Sequence, residues 1–296
     1  MGGKIARRVL LAAATLALLC QGAPGWWLSG HVAASEAALE LLPGDMPGFF
    51  RKSAAAIKSY AADPDLWTDA RLPVLRAAER PEHFIDLELL KGYRPPATRA
   101  EFVALCGRLG ASPDRVGALP YAIDEWYQKL IVAFAEYRRS PSDARVRAKI
   151  LYIAGILSHY AADAAQPLHC TIHYDGRAAP DGSSPHSGIH ARVDALPERL
   201  AIAPADAAAG AGISAAGDAF ALAMDAIEAS HGLVDRVYEL EGELPPDADT
   251  PPRAEVVEFA RERMRSAARL IASLWYSAWV NSAKIALPAW WRKEKG

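Results

Sequence analysis

The sequence contains little cysteine, with three residues in 296. Cys20 lies in an apolar N-terminal stretch, which leaves Cys106 and Cys170 for the body of the protein. Two cysteines are too few for the disulfide framework that holds small secreted domains together. The two thiols could pair with each other or stay buried and separate, and the sequence leaves both arrangements open.

Strand patterns are also missing, because apolar and polar residues do not alternate over more than a few positions. Apolar residues instead recur at helical spacing in five windows: 31–42, 122–137, 147–165, 216–240 and 256–285. Residues 170–187 and 241–253 are rich in Gly, Pro and Asp and are predicted to be loops. The sequence therefore predicts an all-α fold, a multi-helix bundle formed by one domain over residues 26–296.

Long apolar runs are absent after the N-terminal segment, so no membrane-spanning helix is expected in the rest of the sequence. Residues 9–20 form one short apolar run, which follows Lys4, Arg7 and Arg8 and precedes small residues up to Gly25. This order is typical of a signal peptide, here residues 1–25, and predicts a secreted or periplasmic protein. The alternative is an uncleaved anchor.

The chain has no excess of positive charge. Removing the predicted signal peptide takes three of the 33 basic residues and none of the 35 acidic ones, which leaves a formal charge of −5. This balance does not suit a broad basic surface for duplex DNA. The sequence also lacks a Gly-rich loop for phosphate, and we expect a monomer.

Histidine is scarce too, but three of the eight histidines belong to a pattern with aspartate. His159 and Asp163 are four residues apart in a predicted helix, so their side chains share one face. His190 and Asp194 have the same spacing, and His169 lies between the two pairs. One such pair is usually a surface pair. Two pairs around a further histidine favour a metal site, since imidazole and carboxylate are zinc ligands.

Further candidates lie earlier in the chain, namely His31, Asp65 and His83. The other histidines, His173, His186 and His231, are interpreted as loop or surface residues. Support of the metal site by His173, four residues after His169, is the alternative for that residue.

Three segments resemble the superfamily that joins bacterial zinc-dependent phospholipases C with the single-strand-specific zinc nucleases of fungi and plants. Residues 156–169 (ILSHYAADAAQPLH) resemble its core motif, and residues 187–194 (SGIHARVD) resemble its second motif. Residues 26–31 (WWLSGH) are similar to its mature N-terminus, with Trp five residues before His. The resemblance continues to residues 271–276 (IASLWY), which are similar to the last helix of the phospholipases.

This resemblance implies an all-helical fold with three zinc ions in a cleft. It implies one ion on Asp65, His83, His159 and Asp163, a second on His169, His190 and Asp194, and a third on His31, Asp163 and the amine and carbonyl of Trp26. Asp163 would bridge two ions, and Asp63 is the alternative to Asp65. Sites of this composition leave positions open for water. The candidate catalytic carboxylates are Asp65 and Asp86, the latter three residues after His83, where it could orient that water.

The implied activity is hydrolysis of phosphate esters by a phosphodiesterase of the phospholipase C type, acting on phospholipid. The alternative is an extracellular nuclease for single-stranded nucleic acid, and a third hypothesis is a zinc-binding protein without catalysis. The nucleases commonly carry Arg three residues after the first metal-binding Asp, where this chain has Thr68, although Arg71 could substitute. Candidate headgroup or base contacts are Tyr60, Trp67 and Tyr174.

Overall fold

The computed structural model describes residues 28–213, 215, 217–245 and 250–293. Within these ranges the regular structure is helical and contains no β-strand, which confirms the all-α prediction. The predicted signal peptide, residues 1–25, lies outside the described residues. None of the described helices combines the length and the apolar character needed to cross a bilayer.

The helices follow one another with short connections. The α-helices are α1 (Leu28–Glu40), α2 (Gly48–Arg51), α3 (Ala54–Tyr60), α4 (Asp63–Trp67), α5 (Pro73–Glu79), α6 (Arg99–Leu109), α7 (Pro113–Val116), α8 (Leu119–Arg139), α9 (Ala144–Asp163), α10 (Ile189–Asp194), α11 (Leu196–Arg199), α12 (Pro204–Ala208), α13 (Ala219–His231), α14 (Val234–Glu239), α15 (Ala254–Asn281) and α16 (Ala289–Lys293). Turns of 3-10 helix cover Arg80–His83, Leu87–Leu90, Pro167–His169, Glu241–Glu243 and Ser282–Lys284.

Four of the five predicted helical windows correspond to single helices, namely α1, α8, α9 and α15. The fifth window, 216–240, was predicted as one helix and is two, α13 and α14. Gly232 caps the end of α13, and Leu233 leaves helical geometry before α14 begins. Glycine costs about 1 kcal/mol in a helix interior relative to alanine, so the break falls where continuation is weakest.

Helix α9 runs through the centre of the molecule. From Ile153 to Asp163 each of its residues is buried, whereas a surface helix would bury one stripe only. Helices α8, α3, α15 and α1 pack around it. On one side the indole nitrogen of Trp275 in α15 donates to the carbonyl of Ala154 at 3.1 Å. The last turn of α9 is therefore shielded from solvent by neighbouring helices.

Small side chains let α1 approach α9 closely. Ala34, Ser35 and Ala38 of α1 are fully buried. The hydroxyl of Ser35 donates to the hydroxyl of Ser158 at 2.9 Å, and that of Ser158 donates to the carbonyl of Gly155 at 2.7 Å. This contact fixes the register of the two helices. His31, one turn before Ser35, therefore lies against the last turns of α9.

Gly155 provides the corresponding close contact between α9 and α3. A methyl group added at Gly155 would lie 2.5 Å from Cβ of Tyr60 and 2.8 Å from the carbonyl oxygen of Ile57. Only a residue without Cβ permits this approach. Because α3 lies so near, the carbonyl of Ala61 that follows it reaches the ring of His159, 2.8 Å from Nδ1.

Both cysteines among the described residues are buried. Cys106 and Cys170 are free thiols in this structure, so of the two arrangements that the sequence left open, separate burial is the one observed. Burial raises the pKa of both thiols. They are therefore packing groups at neutral pH.

Replacing Gly155 with alanine should destabilise the fold, because α3 and α9 must separate to admit the new methyl group. We expect a loss of about 1–3 kcal/mol in the free energy of unfolding, the usual cost of overpacking a core. The matched control is Gly107→Ala in α6, where nothing lies within 4 Å of the added Cβ. That variant should gain up to about 1 kcal/mol. Urea unfolding checks both values, and equal stabilities would contradict the close contact.

Candidate metal centre

Eight of the nine predicted metal ligands lie in the described residues, and the structure brings them together at the end of α9. Their ligand atoms form three groups, each within 4.8 Å: His31, His159 and Asp163; Asp65, His83 and His159; and His169, His190 and Asp194. We call these eight residues the His–Asp cluster. The ninth, Trp26, lies outside the described residues. The second group contains Asp65, whereas the alternative carboxylate, Asp63, belongs to none of the three groups.

Asp163 lies at the middle of the His–Asp cluster. Its Oδ1 is 3.5 Å from Nε2 of His31 and 3.6 Å from Nδ1 of His169. Its Oδ2 is 3.1 Å from Nδ1 of His83 and 3.4 Å from Nε2 of His159. The carboxylate therefore faces imidazoles from four separate segments, the arrangement expected of a residue that bridges ions.

Backbone carbonyls orient two of the imidazoles. Nδ1 of His159 lies 2.8 Å from the carbonyl oxygen of Ala61, and Nδ1 of His169 lies 2.7 Å from that of His83. A carbonyl oxygen can only accept, so Nδ1 carries the proton in both rings and Nε2 is left with its lone pair. Each Nε2 faces another imidazole nitrogen at 3.1 Å. Metal-binding histidines are commonly oriented in this way.

Two short segments lock His83 and His169 to each other. The amide of Ile85 donates to the carbonyl of His169 at 2.8 Å, while the ring of His169 donates to the carbonyl of His83. The turn that carries His83 is also held by the amide of Ala118, which donates to Pro81. Neither histidine can move without breaking hydrogen bonds of the other segment.

Asp175 fixes the position of α10, which carries His190 and Asp194. Its Oδ1 accepts from the amide of Gly188 at 2.7 Å, and its carbonyl accepts from the amide of Ser187 at 3.0 Å. Gly188 has a φ of 82°, a left-handed conformation that suits glycine at this turn. Within α10, Nε2 of His190 is 3.0 Å from Oδ2 of Asp194, as their spacing of four residues predicts.

Burial controls the charge of the cluster. It lowers the pKa of four imidazoles, those of His31, His83, His159 and His169. Four rings are therefore neutral at neutral pH, the form that binds metal. Burial also opposes a charge on His190, but the neighbouring carboxylates of Asp194 and Asp175 raise the pKa of its imidazole overall.

Burial raises the pKa of Asp65 and of Asp163 to about 7. For Asp163 the neighbouring His169 opposes this shift, and for Asp65 the neighbouring His83 does so. A carboxylate in such a place is stable as an anion only if a cation lies close to it. The cluster thus combines neutral nitrogen donors with carboxylates that favour a nearby positive charge.

Unpartnered polar atoms test whether a metal ion fits. Among the described residues, several buried atoms of the cluster have no hydrogen-bond partner: both ring nitrogens of His31, Nε2 of His83, Oδ1 of Asp163 and Oδ2 of Asp194. Buried polar atoms rarely lack partners, because each costs about 1–3 kcal/mol. Nitrogen and oxygen donors left free at one point are what divalent cations such as zinc bind. The residues present therefore fit a metal centre.

The cluster opens to solvent at one edge. The side chains of Asp65 and His190 are 15 % and 16 % exposed, whereas those of Asp163 and Asp194 are fully buried. Tyr174 lies beside this edge, with its ring centroid 6.1 Å from that of His190. The cluster is therefore accessible to solvent at Asp65 and at His190.

Asp86, the second predicted catalytic carboxylate, lies apart from the three groups. No hydrogen bond or ion pair of the described residues joins its carboxyl to the cluster. Burial and the nearby Glu88 raise the pKa of Asp86 to about 8. Its backbone amide donates to Val116 at 2.7 Å. Its predicted role in orienting water stays a prediction.

The remaining histidines, His173, His186 and His231, lie outside the three groups. Nδ1 of His173 accepts from the amide of Ala178, which is a contact within the loop. His186 is exposed and lies 3.5 Å from Asp175, and Nδ1 of His231 lies 2.9 Å from the carbonyl of Cys170.

Sequence reasoning missed the residues that hold the ligands in place. Asp175 and the Ala61 carbonyl were not singled out, since neither belongs to a spaced pair. Gln166 lies inside the first motif, between the ligands Asp163 and His169. This position was the sequence signal that could have identified it.

Comparison with known proteins does not identify the chain: no protein-family model matches it, and no similar curated protein is found. The structure itself supports a coarser statement. Several groups of histidine and aspartate, which share residues and lie next to one another, could hold metal ions.

Asp163→Asn should impair metal binding more than the loss of any non-ligand, because Asp163 faces four imidazoles. We expect added zinc to raise the melting temperature of the metal-free protein, as any ligand of the native state does. Asp163→Asn should abolish at least about half of that rise. The control, His173→Ala, should keep all of it. Calorimetry with and without zinc measures the difference, and identical responses of the two variants would refute the central role of Asp163.

Proposed function

We propose that this protein is a zinc-dependent phosphodiesterase of the phospholipase C type. The observation that carries the proposal is the His–Asp cluster, in which ligands from separate segments converge on the buried Asp163. The resemblance of the two motifs to the zinc phospholipases and nucleases supports the same activity. The donor set of imidazoles and carboxylates suits zinc, and its three groups suit three ions.

In the proposed enzyme, Asp65, His83, His159 and Asp163 hold one ion, His169, His190 and Asp194 hold a second, and His31 and Asp163 hold a third. When bound, the ions act as Lewis acids on the phosphoryl group and on the attacking water. The chain itself supplies orientation, because the fixed rings of His159 and His169 keep their Nε2 atoms directed into the cluster. Asp65 lies at the open edge, where its carboxylate can accept the proton of the water.

The free amine of Trp26 completes the third ion site in this proposal. Before cleavage at Gly25 the nitrogen of Trp26 is an amide, which is not a zinc donor. After cleavage it is an amine with a reference pKa of about 7.7–8.0. The proposal therefore includes export to the periplasm or the medium, since removal of residues 1–25 creates a ligand.

An exposed apolar surface beside Asp65 favours phospholipid as the substrate. Leu66 follows Asp65 directly and is 66 % exposed. Helix α5 comes next and buries none of its side chains, although Val74 and Leu75 are aliphatic. We call Leu66, Leu72, Val74 and Leu75 the α5 patch. Four exposed aliphatic residues within ten positions of the chain suit contact with acyl chains at a lipid surface.

The nuclease alternative has weaker support from the same region. At the position of the phosphate-binding Arg of the nucleases, Thr68 donates its hydroxyl to the carbonyl of Asp65 at 2.8 Å. The possible substitute, Arg71, forms a salt bridge with Asp69. Of the three aromatic candidates, Tyr60 packs edge-on against Tyr152 and Trp67 packs against the core, which leaves Tyr174 beside His190. Recognition of unstacked bases requires free aromatic platforms.

A binding protein without catalysis is the third hypothesis. The solvent-open edge at Asp65 and His190 is not needed for such a role. Removing zinc with a chelator and assaying the candidate substrates distinguish this hypothesis from the two catalytic ones.

The substrate ranking tests the proposed function. The purified protein without residues 1–25 should contain close to three zinc ions per chain and should hydrolyse phosphatidylcholine faster than single-stranded DNA or RNA. Removal of zinc with a chelator should abolish the activity, and zinc should restore it. Elemental analysis and parallel assays at equal pH measure these values. Faster cleavage of nucleic acid would assign the protein to the nuclease type, and zinc without hydrolysis would favour the binding protein.

The α5 patch predicts that lipid packing matters for the rate. Val74→Ser combined with Leu75→Ser should lower the hydrolysis of vesicle phosphatidylcholine about tenfold, because about 1.4 kcal/mol of apolar burial is lost at the lipid surface. A soluble short-chain phosphodiester with the same headgroup should be turned over at the unchanged rate. The control is Val103→Ser with Val132→Ser, which removes exposed valines elsewhere. Equal losses on both substrates would argue against contact with lipid.

A further inference from the structure

Gln166 occupies a place between two ligands of the His–Asp cluster. It follows the end of α9 at Asp163 and precedes the turn Pro167–His169. Its side chain has no exposed surface. A buried amide carries two donors and an acceptor, and each needs a partner. The partners of Gln166 are therefore informative.

Hydrogen bonds fix which way the amide of Gln166 points. Its Oε1 lies 2.5 Å from the backbone nitrogen of Leu168, which can only donate. The oxygen must therefore face Leu168, and the NH2 group faces the other way. There Nε2 donates to Oδ1 of Asp194 at 2.6 Å. The contact joins a donor to a carboxylate, and such charge-assisted bonds are worth about 1.5–3 kcal/mol.

This bond leaves the other carboxylate oxygen of Asp194 free for the cluster. Oδ2 faces the cluster instead, 3.0 Å from Nε2 of His190. The backbone carbonyl of Gln166 also accepts from the amide of His169 at 3.0 Å. One residue thus holds the backbone of His169 and the carboxylate of Asp194, two members of the same group.

We propose that Gln166 is a positioning residue that aims Asp194 at the ion shared with His169 and His190. The inference rests on the proposed function, since it assigns a role in holding one of the three ions. The amide carries no charge and its oxygen faces Leu168, so it holds the carboxylate of Asp194 in place without competing for the metal. Partners of this kind commonly contribute 10–100-fold in metal affinity.

Gln166→Glu tests the assignment, because it keeps the size of the side chain and the oxygen that accepts from Leu168. It replaces the donor to Asp194 with a second oxygen. We expect the zinc ion of this group to bind about 10–100-fold more weakly, with the other two ions retained. Competition with a chelator, followed by elemental analysis, measures affinity and stoichiometry independently of activity.

The chain offers a matched control. Nε2 of Gln128 donates to Oδ2 of Asp124 at 2.7 Å on the exposed side of α8. Gln128→Glu removes the same kind of contact away from the cluster and should leave all three ions bound. A second variant, Gln166→Met, has similar volume without opposing the carboxylate of Asp194. It should also weaken one ion, by about tenfold.

The outcomes separate the two proposals. Wild-type zinc affinity in both Gln166 variants would overturn the positioning role while the phosphodiesterase proposal stands. Unfolding of both variants in the metal-free state, seen by circular dichroism, would also overturn it, because Gln166 would then serve the fold. A wild-type protein that binds no zinc would instead overturn the proposed function.

Discussion

The burial of Asp163 is the constraint on which the rest of the structure depends. A carboxylate without exposed surface is costly unless donors or cations surround it. Here the surrounding groups are imidazoles from α1, α9 and two 3-10 turns, so these segments must converge on one point. The small residues of α1 and the missing Cβ of Gly155 are the means by which helices approach α9 closely enough.

Much of this centre could be predicted from the sequence, because part of it is local. His159 and Asp163, and likewise His190 and Asp194, meet through helical spacing alone, and the structure keeps both pairs on helices. The helical class followed from periodicity in the same way. Helix α6, which was not predicted, has a further local signal: the hydroxyl of Thr98 accepts from the amide of Glu101 at its start and donates to the Glu101 carboxylate.

The rest depends on contacts between distant segments, which spacing does not encode. The choice of Asp65 over Asp63 is decided by which carboxylate the short helix α4 turns towards His83 and His159. The Ala61 carbonyl reaches His159 only because α3 packs against Gly155. Asp86 shows the converse: it lies three residues after a ligand, but the backbone becomes extended after the turn, and no hydrogen bond or ion pair of the described residues joins its carboxyl to the cluster.

The loop between His169 and His190 has one further property. Asp175 accepts hydrogen bonds from the amides of Ser187 and Gly188, which holds the two ends of the loop together. Residues 176–186 form the tip of the loop. The ligands His169, His190 and Asp194 lie outside the tip, on the other side of these hydrogen bonds. Changes in the length of the tip are therefore mechanically separated from the geometry of the metal centre. The tip can therefore change in length and composition while the ligand positions are kept.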